Sequence, residues 1–253
     1  MESSKIALVT GGSRGLGRNI ALALARKGLD VILTYNSKAD EAQEVVKEIE
    51  GMGRKAAALQ LNVGDSKTFS TFFTQVAAVL SETFDAAKFN YLVNNAGIGY
   101  YIPFAETPED KFDELMNIHL KGTFFLTQKA LPHMADGGGI VNISSGLARI
   151  TQVGSSAYAT MKGAVETLTR YMAKELGERG IRANVVAPGA IETDFGGGRV
   201  RDNKDINQFI ASQTALGRVG LPDDIGGVVA FLCTDDAKWV NAQRIEASGG
   251  MFL

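Results

Sequence analysis

The chain has 253 residues, 45% of them hydrophobic and 21% charged, which places it among ordinary globular chains and excludes the disordered and low-complexity classes. Lys+Arg 26 against Asp+Glu 28 leaves a formal charge of -2, so no global field draws it to nucleic acid or to an anionic membrane, and any anion must be met locally. The single cysteine, Cys233, precludes an internal disulfide, and with only His119 and His133 the metal-ligand set is poor, so a cytoplasmic protein without metal is expected.

In chain order, the start from Met1 to Thr10 shows no basic region followed by a long apolar run, so no signal peptide is expected, and no apolar stretch has the length of a membrane span. A strand over Lys5–Thr10 leads into a helix over Leu16–Lys27. A strand over Val31–Tyr35 and a helix over Ala39–Met52 follow, then a strand over Ala56–Leu61 and a helix over Lys67–Glu82. A short strand at Tyr91–Val93 precedes a long helix over Pro108–Met134, whose proline suits a first helical turn. The remaining elements are strands at Gly139–Ile143, Arg182–Ala187 and Arg244–Ala247 and helices at Ser156–Gly177 and Pro222–Cys233.

Short Val/Ile/Leu-rich runs alternating with helical periodicity are the pattern of βαβ units. The expected class is α/β, a Rossmann-type doubly wound sheet of seven mostly parallel strands with helices on both faces. Without repeats or a Pro/Ser-rich linker, residues 1–253 read as one dinucleotide-binding and catalytic domain. The patternless stretch from Gly189 to Asp205, containing Gly196-Gly197-Gly198, reads as a mobile substrate loop at the carboxyl edge of the sheet, where such folds bind ligands.

Thr10-Gly11-Gly12-Ser13-Arg14-Gly15-Leu16-Gly17 joins the first strand to the first helix. Glycines permit a tight turn and close approach of the backbone to a pyrophosphate, and the helix N-terminus binds the anion. At the end of the second strand, Thr34-Tyr35-Asn36-Ser37-Lys38 offers no carboxylate to a ribose 2′-hydroxyl. Arg14, Asn36 and Ser37 supply donors, with Lys38 adding charge, so NADP(H) is expected over NAD(H).

Tyr158-Ala-Thr-Met-Lys162 places a tyrosine and a lysine on one helix face, and an ammonium nearby would favour the phenolate. Thirteen residues before Tyr158 stands Ser145, with Ser144 as the competing hydroxyl. With the Gly11/Gly15/Gly17 turn, Asn94-Asn-Ala-Gly97, Asn117 and Pro188-Gly189 in the same order and spacing, the chain closely resembles the short-chain dehydrogenase/reductase family over nearly its whole length.

The resemblance implies that Tyr158 exchanges a proton with the substrate oxygen while hydride passes to or from the nicotinamide. Lys162 would lower the tyrosine's pKa and bind the nicotinamide ribose. Ser145 would bind the substrate oxygen, and Asn117 a water that relays protons. Asn62 and Val63, Asn94, Ala96 and Gly97, Pro188 and Gly189, and Ile191 and Thr193 would line the cofactor together with Ser13 and Leu16 of the turn. Two departures stand out: Asn62 where the family often has Asp, and Asn241-Ala242 where it usually has Thr-Gly. A homotetramer is implied as well, with the helix Ala157–Gly177 long enough to pair.

Tyr100, Tyr101, Ile150, Val153 and Phe195 point to an apolar ketone or aldehyde, or the corresponding secondary alcohol. The alternative is reduction of 3-oxoacyl groups on acyl carrier protein, for which His133 to Gly139 contains no Lys or Arg, although Arg179 is near. A regulatory NADP-binding protein that has lost catalysis should lack Tyr158, Lys162 or Ser145. A sugar-nucleotide epimerase would differ in glycine spacing.

Overall fold

The computed structural model describes residues 4–253. Seven strands form one sheet: β1 (Ile6–Val9), β2 (Asp30–Tyr35), β3 (Ala56–Gln60), β4 (Phe89–Asn94), β5 (Met134–Ile143), β6 (Arg182–Pro188) and β7 (Arg244–Ala247). Their order is β3-β2-β1-β4-β5-β6-β7. Every strand pairing is parallel, so the expectation of a mostly parallel sheet is sharpened to a wholly parallel one.

The helices are α1 (Gly15–Arg26), α2 (Ala39–Gly51), α3 (Phe69–Phe84), α4 (Glu109–Leu115), α5 (Gly122–Ala130), α6 (Ser156–Glu175), α7 (Arg199–Asp202), α8 (Lys204–Ser212) and α9 (Asp223–Leu232). Alternate strand residues serve opposite faces. Ala7, Val9, Leu33, Val141 and Val186 pack with Ile20 and Leu24 of α1, Val45 and Ile49 of α2 and Val229 of α9. Ile6, Leu8, Ile32, Leu92 and Ile140 pack with Phe69, Phe73 and Leu80 of α3, Leu126 of α5 and Met172 of α6. Burial on both faces is why these strands read as continuous apolar runs. Among the described residues no helix is long and apolar enough to cross a membrane.

Three local departures matter. The long helix expected over Pro108–Met134 is divided: α4 passes into a π-helical segment at Met116–Lys121, then α5, then a short 3-10 turn. Gly122 explains the widening, because its Cα is wedged against the Val63 and Asn117 carbonyls and a Cβ there would lie 2.3 and 2.9 Å from them. Such π segments recur at functional sites, and this one carries both Asn117 and His119. β5 begins at Met134 rather than Gly139, across a register shift against β4. The stretch expected as a loop over 189–205 contains short helical turns, and Asn203 caps α8 by accepting from the Ile206 N–H at 3.1 Å.

The sheet changes direction at β1, which has β2 on one side and β4 on the other. The crevice beyond the carboxyl ends of those strands is the ligand position of this architecture.

Candidate active site

The turn after β1 is shaped by its glycines: Gly11 and Gly15 adopt φ of 66° and 54°, and a Cβ on Gly17 would sit 2.0 Å from the Gly11 carbonyl oxygen. Helix α1 starts after Arg14 with no side-chain cap and no acidic residue in its first turn. Its first amides are therefore available to an anion. Ser13 is buried, Leu16 packs on the core, and Arg14 faces solvent.

Asn95 rather than Asn94 clamps this turn. The Asn95 side-chain amide donates to the carbonyls of Thr10 at 2.9 Å and Gly11 at 3.2 Å, while Thr10 Oγ1 accepts from the Asn95 and Ala96 amides, each at 3.0 Å. Asn94 turns inward and donates to Thr127 Oγ1 at 3.0 Å and Asn142 Oδ1 at 2.8 Å, joining β4 to β5. Asparagine at 94 is thus a structural bridge. The doubled asparagine in the sequence could have indicated two opposed roles, because successive strand residues point opposite ways.

Asn36 and Ser37 are exposed at the end of β2, and Lys38 pairs with Glu41 at 3.4 Å. Asn62 Oδ1 accepts from the Gly64 amide at 2.9 Å, so its acceptor shapes a local turn. Val63 is half-buried beside it. On the opposite side of the crevice, Gly189 follows Pro188 against Ser248, Ile191 bridges to Gly220, and Thr193 faces Gly15. Gly97 lies against the His119 ring, where a Cβ would come within 2.6 Å of Cε1.

Helix α6 brings Tyr158 and Lys162 to one face, both buried. Lys162 Nζ donates to the Ile143 carbonyl at 2.8 Å and lies 5.6 Å from the Tyr158 ring centre. Burial brings the ammonium down from its usual range to about 7. Burial likewise pushes the Tyr158 phenol above the ordinary tyrosine value, against the opposing effect of a hydrogen bond with Ser145. Desolvation disfavours both charged forms in the protein alone. The phenol is protonated at neutral pH.

Ser144 is turned inward and donates to Glu166 at 2.7 Å. Ser145 is the hydroxyl at the phenol, and its Oγ also accepts from the Leu147 amide at 3.2 Å. Of the two serines, Ser144 is committed to Glu166. Asn117 lies in the π segment, where its carbonyl accepts from the Gly122 amide.

Known proteins resemble the chain over nearly its whole length. A sequence model described as enoyl-(acyl carrier protein) reductase matches residues 11–252. The crystal structure of an angucycline C-6 ketoreductase with bound NADP superposes with a TM-score of 0.93 at 36% identity, covering 99% of this chain and 96% of that one. A hydroxynaphthalene reductase-like protein of Metarhizium brunneum is 36% identical over 98% of this chain and 95% of its own. A 3-oxoacyl-[acyl-carrier-protein] reductase of Staphylococcus aureus is 36% identical over the full length of both. The chain belongs to the short-chain dehydrogenase/reductase family. It is an NAD(P)H-dependent oxidoreductase.

In this short-chain dehydrogenase/reductase the buried wall behind Tyr158 includes a residue that the sequence did not single out. His119 is 1% exposed, and its ring meets the Tyr158 ring edge-on at 5.1 Å and 87°. Nε2 lies 2.7 Å from the Ile98 carbonyl oxygen and 3.3 Å from the Ile98 amide nitrogen. Burial, and then the charge of Lys162, hold its pKa well below the usual histidine range. His119 therefore ties the Asn95–Ile98 loop to the tyrosine as an uncharged group. Behind Ser144, Glu166 accepts from Arg244 at 2.7 Å. Arg244 reaches Glu246 at 2.8 Å, and Arg149 holds Glu246 down to about 2.

The front is aromatic. Phe195 lies 5.6 Å from the Tyr158 ring centre and fills the space over Gly99, where a Cβ would come within 2.4 Å of its ring. Tyr101 packs against Gly196, and the Arg199 guanidinium lies 5.1 Å over the Tyr101 ring.

Proposed function

We propose that this oxidoreductase is an NADP(H)-dependent carbonyl reductase, or in the reverse direction a secondary-alcohol dehydrogenase, that acts on apolar and preferentially aromatic ketones or aldehydes. The observation that carries the reading is the buried, protonated Tyr158 phenol beside Ser145, with aromatic rings on its open side. The turn glycines, the uncapped start of α1 and the donors Arg14, Asn36 and Ser37 fit a dinucleotide bearing a 2′-phosphate. The NADP in the angucycline relative supports the same choice.

Bound there, the cofactor supplies the hydride. Ser145 donates a hydrogen bond to the substrate oxygen and fixes the carbonyl against Tyr158. Tyr158 Oη gives its proton to that oxygen as the carbonyl carbon is reduced, and takes the proton back in the reverse direction. Lys162, anchored on Ile143, binds the ribose hydroxyls and restores the phenolic proton, with Asn117 holding the water that completes the path. Residues 1–253 act as one unit in the cytoplasm. The exposed Phe124, Phe125, Tyr171, Trp239 and Leu253 support a homotetramer, and a monomer by light scattering would exclude it.

Reduction of 3-oxoacyl groups on acyl carrier protein is the second reading, favoured by the Staphylococcus relative. An acidic carrier needs unpaired cations at the mouth. Here Arg149 is paired with Glu246, Lys111 with Glu114 and Arg201 with Asp202, while Arg199 lies over the Tyr101 ring; the aromatic ring beside Tyr158 favours the apolar ketone.

The deciding experiment is nicotinamide oxidation with NADPH and NADH against aryl ketones, aliphatic ketones, sugars, and 3-oxoacyl and enoyl thioesters. Faster NADPH turnover on aryl ketones is expected, with Tyr158→Phe reducing it at least about a hundredfold. Turnover on the 3-oxoacyl thioester alone would establish the second reading. Cofactor binding without any turnover would indicate a regulatory protein.

A further inference from the structure

One ion pair joins the phosphate turn to the substrate segment, and the mechanism above does not use it. Arg14 Nη1 lies 3.6 Å from Asp194 Oδ2, with side-chain exposures of 56% and 48%. Both side chains are therefore open to solvent, and the Arg14 guanidinium is free to change partners. Arg201 holds Asp194 from the other side and Asp202 at 2.7 Å, so the carboxylate is fixed to the segment that follows it.

Three consecutive residues of that segment face three parts of the site: Thr193 faces Gly15 of the turn, Asp194 faces Arg14, and Phe195 covers Tyr158. Gly196, Gly197 and Gly198 follow with φ of 59°, 78° and 74°, a backbone that only glycine adopts cheaply. These glycines set the path of the segment, and the Arg14–Asp194 pair is its ionic contact with the turn, beside the contact of Thr193 with Gly15.

A phosphate carried to Arg14 meets the Asp194 carboxylate as a like charge competing for one guanidinium. A 2′-hydroxyl brings no such competition. We propose that Asp194 is a determinant of cofactor specificity: it competes with the 2′-phosphate for Arg14, and capture of Arg14 by that phosphate unlatches the segment that holds Phe195 over Tyr158. This rests on the NADP(H) reading above. It makes the phosphate both a recognition element and the signal that opens the substrate side.

The test uses the full chain with 2′,5′-ADP and 5′-AMP, which differ at the 2′ position and carry no nicotinamide. By calorimetry, Asp194→Asn should bind 2′,5′-ADP about threefold more tightly, the scale expected for losing an exposed charge competitor, with a smaller change for 5′-AMP. By limited trypsin digestion, cleavage after Arg199, Arg201 and Lys204 in the unsubstituted protein should accelerate with 2′,5′-ADP and not with 5′-AMP. In Asp194→Asn it should be fast without ligand. Equal affinity changes for the two nucleotides, or cleavage indifferent to both the ligand and the substitution, would overturn the latch. Arg14→Ala separates the two claims. If it binds 2′,5′-ADP as the unsubstituted protein does, the NADP(H) role of Arg14 fails. If it binds more weakly while Asp194→Asn changes nothing, the latch alone fails.

Discussion

Tyr158 is held from behind by β5, α6 and the π-helical segment, and from in front by the segment from Thr193 to Ser212, and the two sides use different materials. Behind it, His119, Ser144 and Lys162 are 1%, 2% and 5% exposed, and each makes a hydrogen bond inside the protein, with Nδ1 of His119 left without a partner. In front, Asp194 and Arg201 are about half exposed, and glycines with positive φ set the backbone. Buried polar groups have no water to turn to, so leaving one unpaired is expensive and the wall has one geometry. Exposed ion pairs contribute about 0.2–1 kcal/mol each and exchange readily. Proton chemistry is thus assigned to the rigid side and admission of ligands to the side that can rearrange.

The comparison can be broken most severely at Gly122. Alanine there drives a Cβ to 2.3 Å from the Val63 carbonyl, and only movement of the π segment relieves it. Gly122→Ala should lose about 1–3 kcal/mol of stability and, by displacing His119 and Asn117, at least about tenfold in kcat. Thermal unfolding and steady-state kinetics measure both. Unchanged kcat in a folded variant would show that the π geometry does not position the site.

A second consequence of the dry wall is a pH dependence. In the unfolded chain Lys162 titrates near its ordinary value of 10.5, and in the ligand-free protein it is brought down to about 7. Between those values the unfolded chain binds the proton more strongly, so stability rises with pH. Above about pH 9 the trend is opposed by Cys233, whose thiol burial pushes up to about 12, and then by Tyr158. From pH 7 to 9 the melting temperature should gain roughly 5 °C from Lys162. Lys162→Met should remove that gain, and parallel pH profiles for the two proteins would refute the assignment.

The smallest effect belongs to the flexible side. A Cβ on Gly197 meets nothing within 4 Å, but its φ is 78°. Gly197→Ala should therefore cost only about 1–2 kcal/mol of local strain, seen as a higher substrate KM with little change in melting temperature. A large fall in melting temperature would mean that this segment belongs to the core.

The strand alternation and the glycine turn were legible because each depends on local residue type at fixed spacing, whereas the roles proposed for Ser145, Tyr158 and Lys162 came from the resemblance to a family. The π segment was not, since the widening comes from contact between Gly122 and Val63, some sixty positions apart in a chain whose local pattern is helical throughout. The start of β5 was hidden because Gly137, Gly138 and Gly139 interrupt its apolar run. Helix α8 could have been found: Asn203 is a cap, and Ile206, Phe209 and Ile210 follow at helical spacing. The roles of Asn94 and Asn95 needed coordinates, because only the register of β4 says which of them faces the turn. Asn241 is partly explained, as its side chain accepts from the Ala183 amide at 2.9 Å and orders the approach to β7.

The central place of β1 also sets a schedule for assembly. Ile6 donates its amide to Asn90 Oδ1, 84 residues further along, and β1 has no neighbour on that side until β4 arrives. At a synthesis rate of about ten residues per second, that wait lasts about eight seconds. During this interval Leu8 and Val9, wholly buried in the finished protein, have no β4 to pair with. The middle of the sheet therefore waits for its second neighbour, and β1 is most open to aggregation and to chaperones before residue 94 has emerged.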